Sequence, residues 1–359
     1  MSNKAIFTVF IYCKMKKTKF TPISELGEHN LISKITSPFQ LTQITTKVGI
    51  GDDSAVLSDL NEELIISTDV LVEGVHFDPM YTPLKHLGYK SVVVNISDVC
   101  AMNAVATHVL VSISISNKYS VEMIKEIYEG INQACKNYNI DLIGGDTSSS
   151  MSGLIISVTI IGKSTNEFTT YRSGAKPNDL LMVSGDLGAA YLGLQILERE
   201  KGIFETQDLG QPDLTKYSYV LERQLKPEPR TDVIRLLREK KIKPTSMIDI
   251  SDGLASELHH ISKCSSIGVK VFEERIPIKN TSRLVADELN LNPTSCALNG
   301  GEDYELLFTV PLELHDEVRE IPSFVEIGHV TSTGLVEMVT TTNSVVNLPP
   351  NSWDTFKHI

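Results

Sequence analysis

The sequence predicts a mixed protein of the α/β (α+β) class, built as two domains. Three observations lead there. Compact apolar runs of strand length alternate with stretches whose apolar residues recur at helical spacing. Both halves place a Gly/Asp loop between a strand and a helix. A chain of 359 residues exceeds what one hydrophobic core ordinarily organises.

The elements follow in order. Residues 1–20 read as an extension outside the fold, expected to be disordered; Glu25–Lys34 reads as a short helix, and Val48–Ile50 leads into a Gly51 loop. Leu64-Ile65-Ile66-Ser67 is a buried strand ending at Thr68-Asp69. Gly88–Asn103 carries Tyr89, Val92, Val93, Ile96, Val99 and Cys100 at helical spacing, although its β-branched residues oppose a helix. On that helix Asn95, Asp98 and Met102 share a face. His108–Ser116 alternates as a strand, Val121–Tyr138 is an amphipathic helix, and Asp141–Ile143 is a short strand running into a Gly144-Gly145-Asp146 loop. Leu154–Gly162 is a further strand.

The polar, Gly/Pro-containing stretch Lys163–Pro177 marks the boundary between an N-terminal domain over 21–165 and a C-terminal domain over 166–359. Beyond it come a strand over Asp179–Val183, the loop Ser184-Gly185-Asp186-Leu187-Gly188, a helix over Ala189–Glu200 and a polar excursion over Lys201–Lys216. Helices are expected at Tyr217–Gln224 and Thr231–Lys240, and a strand at Ser246–Ile250. A helix over Leu254–Lys263 follows, with Ser251 or Asp252 as cap, and Tyr304–Val310 is a strand.

Composition narrows the function. A net charge of −12 argues against a broad nucleic-acid surface, which needs a basic face. It leaves anionic substrates open, because a bound cation inverts the local field. The five cysteines, Cys13, Cys100, Cys135, Cys264 and Cys296, lie far apart with no CxxC pair, so free thiols in a reducing, cytoplasmic compartment are expected. No apolar run approaches the ~20 residues of a membrane span, and no membrane partner is expected.

The chemistry lies in recurring acids beside glycine or small hydroxyl residues: Gly51-Asp52-Asp53-Ser54-Ala55, Ser67-Thr68-Asp69, Ser97-Asp98, Gly144-Gly145-Asp146-Thr147, Asp249-Ile250-Ser251-Asp252-Gly253 and Gly300-Gly301-Glu302-Asp303. One such loop is an ordinary turn. Several carboxylates brought together repel unless a cation lies among them, and oxygen-only ligands suit Mg2+ carrying a nucleotide phosphate. Asp98 in an apolar helical stretch is costly unless paired or metal-bound. Gly145 could approach a phosphate with its backbone, and Arg172, at the domain link, could stabilise charge on a transferred group. No GxxxxGK[ST] or GxGxxG fingerprint occurs, and the Ser184–Gly188 loop reads as a tight turn feeding a helix. His76 reads equally as structural or ligand-facing. Trp353, with Phe356, reads either as core packing or as a platform for an aromatic ring.

Taken together, these segments resemble the thiamine-monophosphate kinases of the aminoimidazole-ribonucleotide-synthetase-like superfamily. The likeness runs from Ser24-Glu25-Leu26-Gly27-Glu28 to Trp353-Asp354-Thr355-Phe356, through Ser67–Phe77, Tyr89–Asp98, Ile143–Thr147, Arg172–Pro177, Asp249–Leu254 and Gly300–Leu306. It implies a two-domain PurM-like fold, with an N-terminal mixed sheet that pairs across a homodimer into a barrel and a C-terminal α/β sandwich. It implies ATP-dependent phosphorylation of thiamine monophosphate to thiamine diphosphate by direct in-line transfer with several Mg2+ ions. The resemblance assigns Asp53, Ser67, Thr68, Asp69, Asp98, Asp146, Asp249 and Asp252 to the metals. It assigns Tyr128, Gly145, Asp146, Arg172 and Ser251 to ATP, and His76, Glu302 and Trp353 or Phe356 to the thiamine phosphate. The catalytic pair would be Asp146 and Arg172. Where relatives often carry a small Gly-Ala pair, this chain has Met102-Asn103-Ala104. The rival readings are an ATP-dependent ligase or cyclase of the same superfamily and a catalytically silent nucleotide-binding protein.

Overall fold

The computed structural model describes residues 46–48, 51–59, 62–165, 167–206 and 212–349. The 1–20 extension, the Glu25–Lys34 helix, Cys13, Trp353 and Phe356 lie outside them. The first sheet runs β1 (Thr46–Val48), β2 (Ala55–Asp59), β3 (Glu62–Val72), β6 (Ile155–Ser164), β4 (Val105–Ile115), β5 (Asp141–Ser149). Its pairs are antiparallel except β4–β5, so the sheet is mixed.

Two helices cover this sheet, α1 (Leu84–Ala101) and α2 (Val121–Tyr138). From Leu87 to Ala101, α1 is buried at every position but Asp98, so burial on all sides rather than helix propensity holds its valines in place. The two helices cross closely at two glycines. A Cβ on Gly88 would lie 1.9 Å from the Ile127 carbonyl oxygen, and one on Gly130 would lie 1.9 Å from that of Lys85. Ser120 caps α2 by accepting from Met123 N, and Asn139 ends it in the left-handed conformation, φ 55°.

The second sheet runs β13 (Val345–Asn347), β12 (Val336–Val339), β9 (Gly268–Phe272), β11 (Phe324–Thr331), β7 (Leu180–Ser184), β10 (Leu306–Val310), β8 (Ser246–Asp249). β12–β9 is its parallel pair. Side chains alternate across it. Leu180, Met182, Met247, Leu306 and Phe308 join the core that also contains α1 and α2. Leu181, Val183, Ile248 and Leu307 face the core under α6 (Leu254–Ser265). A third core joins α3 (Ala189–Thr206) to α4 (Ser218–Leu225), α7 (Asn280–Glu288) and α8 (Pro293–Asn299). The helices α5 (Thr231–Glu239) and α9 (His315–Arg319) complete the set among the described residues.

Three expectations change. The strand expected to stop at Thr68-Asp69 continues to Val72, so those residues lie inside β3. The Gly144-Gly145-Asp146 loop is part of strand β5, in register with Leu110, Val111 and Ser112 of β4. Gly145 permits that approach: at φ +152°, a Cβ there would lie 1.8 Å from the Val111 carbonyl oxygen. Neither Ser251 nor Asp252 caps α6. Its cap position is Gly253, and Glu257 reaches back to accept from Asp252 N at 3.2 Å.

Candidate active site

Asp53 precedes β2, Asp98 lies on α1, and Asp249 ends β8. Each offers a carboxylate oxygen, and these oxygens all lie within 4.8 Å of one another. α1 links the two sheets here, because Ser97 Oγ donates to Asp249 Oδ2 at 2.6 Å. Ser67 Oγ donates to Asp98 Oδ2 at 2.5 Å. Arg172 donates to Asp53 through Nε and Nη2, both at 2.8 Å, and its backbone N–H donates to Asp52.

The acids compete for charge. Burial, reinforced by Asp53, pushes Asp249 up to about 8. Burial also raises Asp98 well above the carboxylate range, with Asp69 and Asp249 adding to it. Asp52 is pushed up to about 7 by burial and by Asp53. Glu257, 3% exposed, is raised by burial and by Asp252. Burial opposes the charge of Arg172, but Asp53 beside it outweighs that and raises its pKa. Three hard oxygen donors this close together fit a divalent cation such as Mg2+, whose charge would offset their mutual repulsion. Asp53, Asp98 and Asp249 would hold it.

The other expected residues fall in several places. Ser67 and Asp69 share the inward face of β3, while Thr68 points outward and donates from Oγ1 to Val158 O at 3.0 Å. The ladder puts Asp146 level with Ser112 and Ser157, on the sheet face of Thr68 rather than of Asp69. Asp69, Asp146 and Asp252 are outside the close acidic group. Tyr128 lies on α2 and lines a cleft of about 490 Å3 with Asn132, Lys136 and Leu142. His76 Nδ1 accepts from Val72 N at 3.0 Å. The Ser251 carbonyl accepts from Glu302 N at 2.7 Å, which ties the two loops together.

Sequence reasoning missed Glu257 and Gln224, and gave no role to Ser97 or Lys90 within the segments it singled out. Glu257 had a readable signal, an acid beside the Leu254, Leu258, Ile261 stripe. The others depend on contacts distant in sequence. Asp303, next to Glu302, has a structural role: it accepts from Gly188 N at 2.8 Å at the start of α3. The Ser184–Gly188 turn is thereby closed by a side chain.

Comparison with known proteins agrees with this architecture. Residues 51–164 match the family described as AIR synthase related protein, N-terminal domain. The thiamine-monophosphate kinase of Bacillus subtilis (strain 168) is 36% identical over 296 residues, covering 82% of this chain and 87% of that protein. That of Aquifex aeolicus (strain VF5) is 34% identical over 308 residues, covering 86% and 92%. The solved structure "AaThiL complexed with AMPPCP and TMP" superposes with a TM-score of 0.79 at 30% identity, covering 95% of this chain and 99% of that one.

Residues 51–164 therefore form an AIR synthase related N-terminal domain, whose mixed sheet meets a second mixed sheet at an acidic cluster. Among proteins with that domain, identity above a third across most of both chains is decisive. The chain belongs to the thiamine-monophosphate kinase family.

Proposed function

We propose that this chain transfers the γ-phosphoryl group of ATP directly to thiamine monophosphate, giving thiamine diphosphate and ADP. It would thus be a phosphotransferase with a phosphate group as acceptor. The observation that carries the reading is the convergence of Asp53, Asp98 and Asp249 beside Arg172 in a member of this family. The structural relative named above holds AMPPCP and TMP, which we read as an ATP analogue and thiamine monophosphate.

Mg2+ bound to the acids would neutralise phosphate charge during transfer. The chain's own part is positioning and charge. Asp53, Asp98 and Asp249 form the cation seat, with Ser67, Asp69 and Asp252 as further ligands, while Thr68 and Asp146, on the opposite sheet face, would address a separate ion. Ser67 and Ser97 orient two of the carboxylates through their hydroxyls. Arg172 brings a fixed guanidinium suited to phosphate oxygens. Tyr128, Gly145 and Ser251 contact ATP, while His76, Glu302 and Trp353 or Phe356 receive the thiamine phosphate. An acceptor phosphate oxygen is already ionised at neutral pH, so no strong base is required.

The N-terminal residues 21–165 carry dimerisation and most of the metal seat, and 166–359 complete the site. The homodimer reading is supported by β5, which ends its sheet among the described residues and whose nine residues are all exposed. Among the described residues no helix is long and apolar enough to cross a membrane, and Cys100, Cys135, Cys264 and Cys296 are free thiols, which suits a cytoplasmic enzyme.

The test is to incubate pure protein with ATP and Mg2+ and, separately, thiamine, its monophosphate and its diphosphate. ADP and thiamine diphosphate should form from the monophosphate alone. Phosphorylation of free thiamine instead would refute the acceptor, and ATP binding without turnover would favour a silent protein.

A further inference from the structure

Glu302 is held more firmly than a surface carboxylate requires. Its backbone takes a left-handed conformation, φ 58°, which a side chain tolerates poorly. Its backbone N–H is fastened to Ser251 O. One carboxylate oxygen, Oε1, lies 2.9 Å from Lys90 Nζ on α1, and the other, Oε2, accepts from Gln224 Nε2 at 2.7 Å on α4. Lys90 is 5% exposed, and its ammonium also donates to the Gln224 carbonyl at 3.0 Å. A buried ammonium is expensive unless fully partnered, and an apolar residue often serves stability better there.

Gln224 gives the clearest sign. A carboxylate only accepts, so the amide has to turn its Nε2 toward Glu302. That leaves the Gln224 Oε1 buried with no hydrogen-bond partner, on a residue 6% exposed. The arrangement leaves an acceptor unmet in order to fix both oxygens of one glutamate.

We propose that Lys90 and Gln224 are positioning residues that aim Glu302 at the phosphate acceptor. This rests on reading Glu302 as an acceptor contact. Lys90 also balances its charge, so that an anionic substrate approaches a neutral pair instead of a bare carboxylate. Because Lys90 and Asp98 lie on one helix, acceptor contact and cation seat share a rigid frame.

The test is steady-state kinetics of Lys90→Met and Gln224→Met, alone and with Glu302→Gln, after wild-type turnover of thiamine monophosphate is measured. Lys90→Met should raise the KM for thiamine monophosphate about tenfold, and Gln224→Met about threefold. The KM for ATP should stay unchanged and kcat within twofold. With Glu302→Gln already present, Lys90→Met should add less than twofold. Unchanged acceptor KM in folded Gln224→Met overturns the proposal even where Lys90→Met fails to fold, and so does full additivity with Glu302→Gln. A wild type that does not phosphorylate thiamine monophosphate overturns the acceptor assignment itself and this role with it.

Discussion

Arg172 grips Asp53 through two parallel hydrogen bonds, Nε to Oδ2 and Nη2 to Oδ1, each 2.8 Å long. The guanidinium lies against the acidic cluster, and its fork fixes the Asp53 carboxylate plane. Arg172→Gln should therefore have two effects. Folding stability, followed in denaturant, should fall by about 3 kcal/mol because Asp53 is left buried without its partner. Turnover should fall on the order of a hundredfold or more, as when one charge-stabilising donor is removed. Arg172→Lys should recover little, since an ammonium cannot make the paired contact. Wild-type turnover in Arg172→Gln would exclude the residue from catalysis.

Asp98→Asn separates folding from function. Asn keeps an oxygen for the Ser67 hydroxyl but cannot ionise, so it removes the cost of a buried carboxyl crowded by other acids. In chelator its melting temperature should rise by about 2 °C, what roughly 1 kcal/mol brings in a large chain. The further rise that Mg2+ gives the wild type should be lost, and turnover with it. A full Mg2+-induced rise in the variant would remove Asp98 from the seat.

Asp303 offers a pH test away from the cluster. It is 0% exposed and is pushed up to about 7, chiefly by burial. In the unfolded chain an aspartate titrates near ~3.9. Between those values the folded state holds the extra proton, so this group's contribution to stability declines as pH rises through the window. Asp303→Asn cannot titrate, yet it keeps an oxygen for Gly188 N. Its stability relative to wild type should improve steadily from about pH 4 to pH 7 and then level off. A constant difference across urea melts over that range would show that Asp303 does not titrate as described.

Asp146 lies exposed on β5, so Asp146→Asn should leave stability within about 0.5 kcal/mol of wild type. Turnover should drop at least tenfold. If activity survives, its assignment to the metals is wrong.

How much was legible follows from where the information lies. Glycine–acid pairs at strand ends mark Asp53 and Asp249 within a few residues of chain, and the helical spacing of Gly88–Asn103 places Asp98 despite its valines. The extent of strands was harder to read. The polar Thr68-Asp69 and the Gly144-Gly145 pair suggest strand ends or loops, and only pairing with β6 and β4 makes them strand. That error mattered, because a strand sends Thr68 and Asp69 to opposite faces. Lys90, Gln224 and Glu302 meet from positions 134 and 78 residues apart, and no local pattern announces such a contact.

The course of α1 has a metric consequence. Lys90 and Asp98 are eight residues apart on one buried helix, so their backbones are separated by about 12 Å along its axis. On the proposed assignment, a molecule anchored at Glu302 that reacts beside Asp98 would have to bridge a gap of that order. If Glu302 receives the acceptor as proposed, the helix would work as a calliper: an alcohol stopping short of its phosphate would dock at one jaw and fall short of the other.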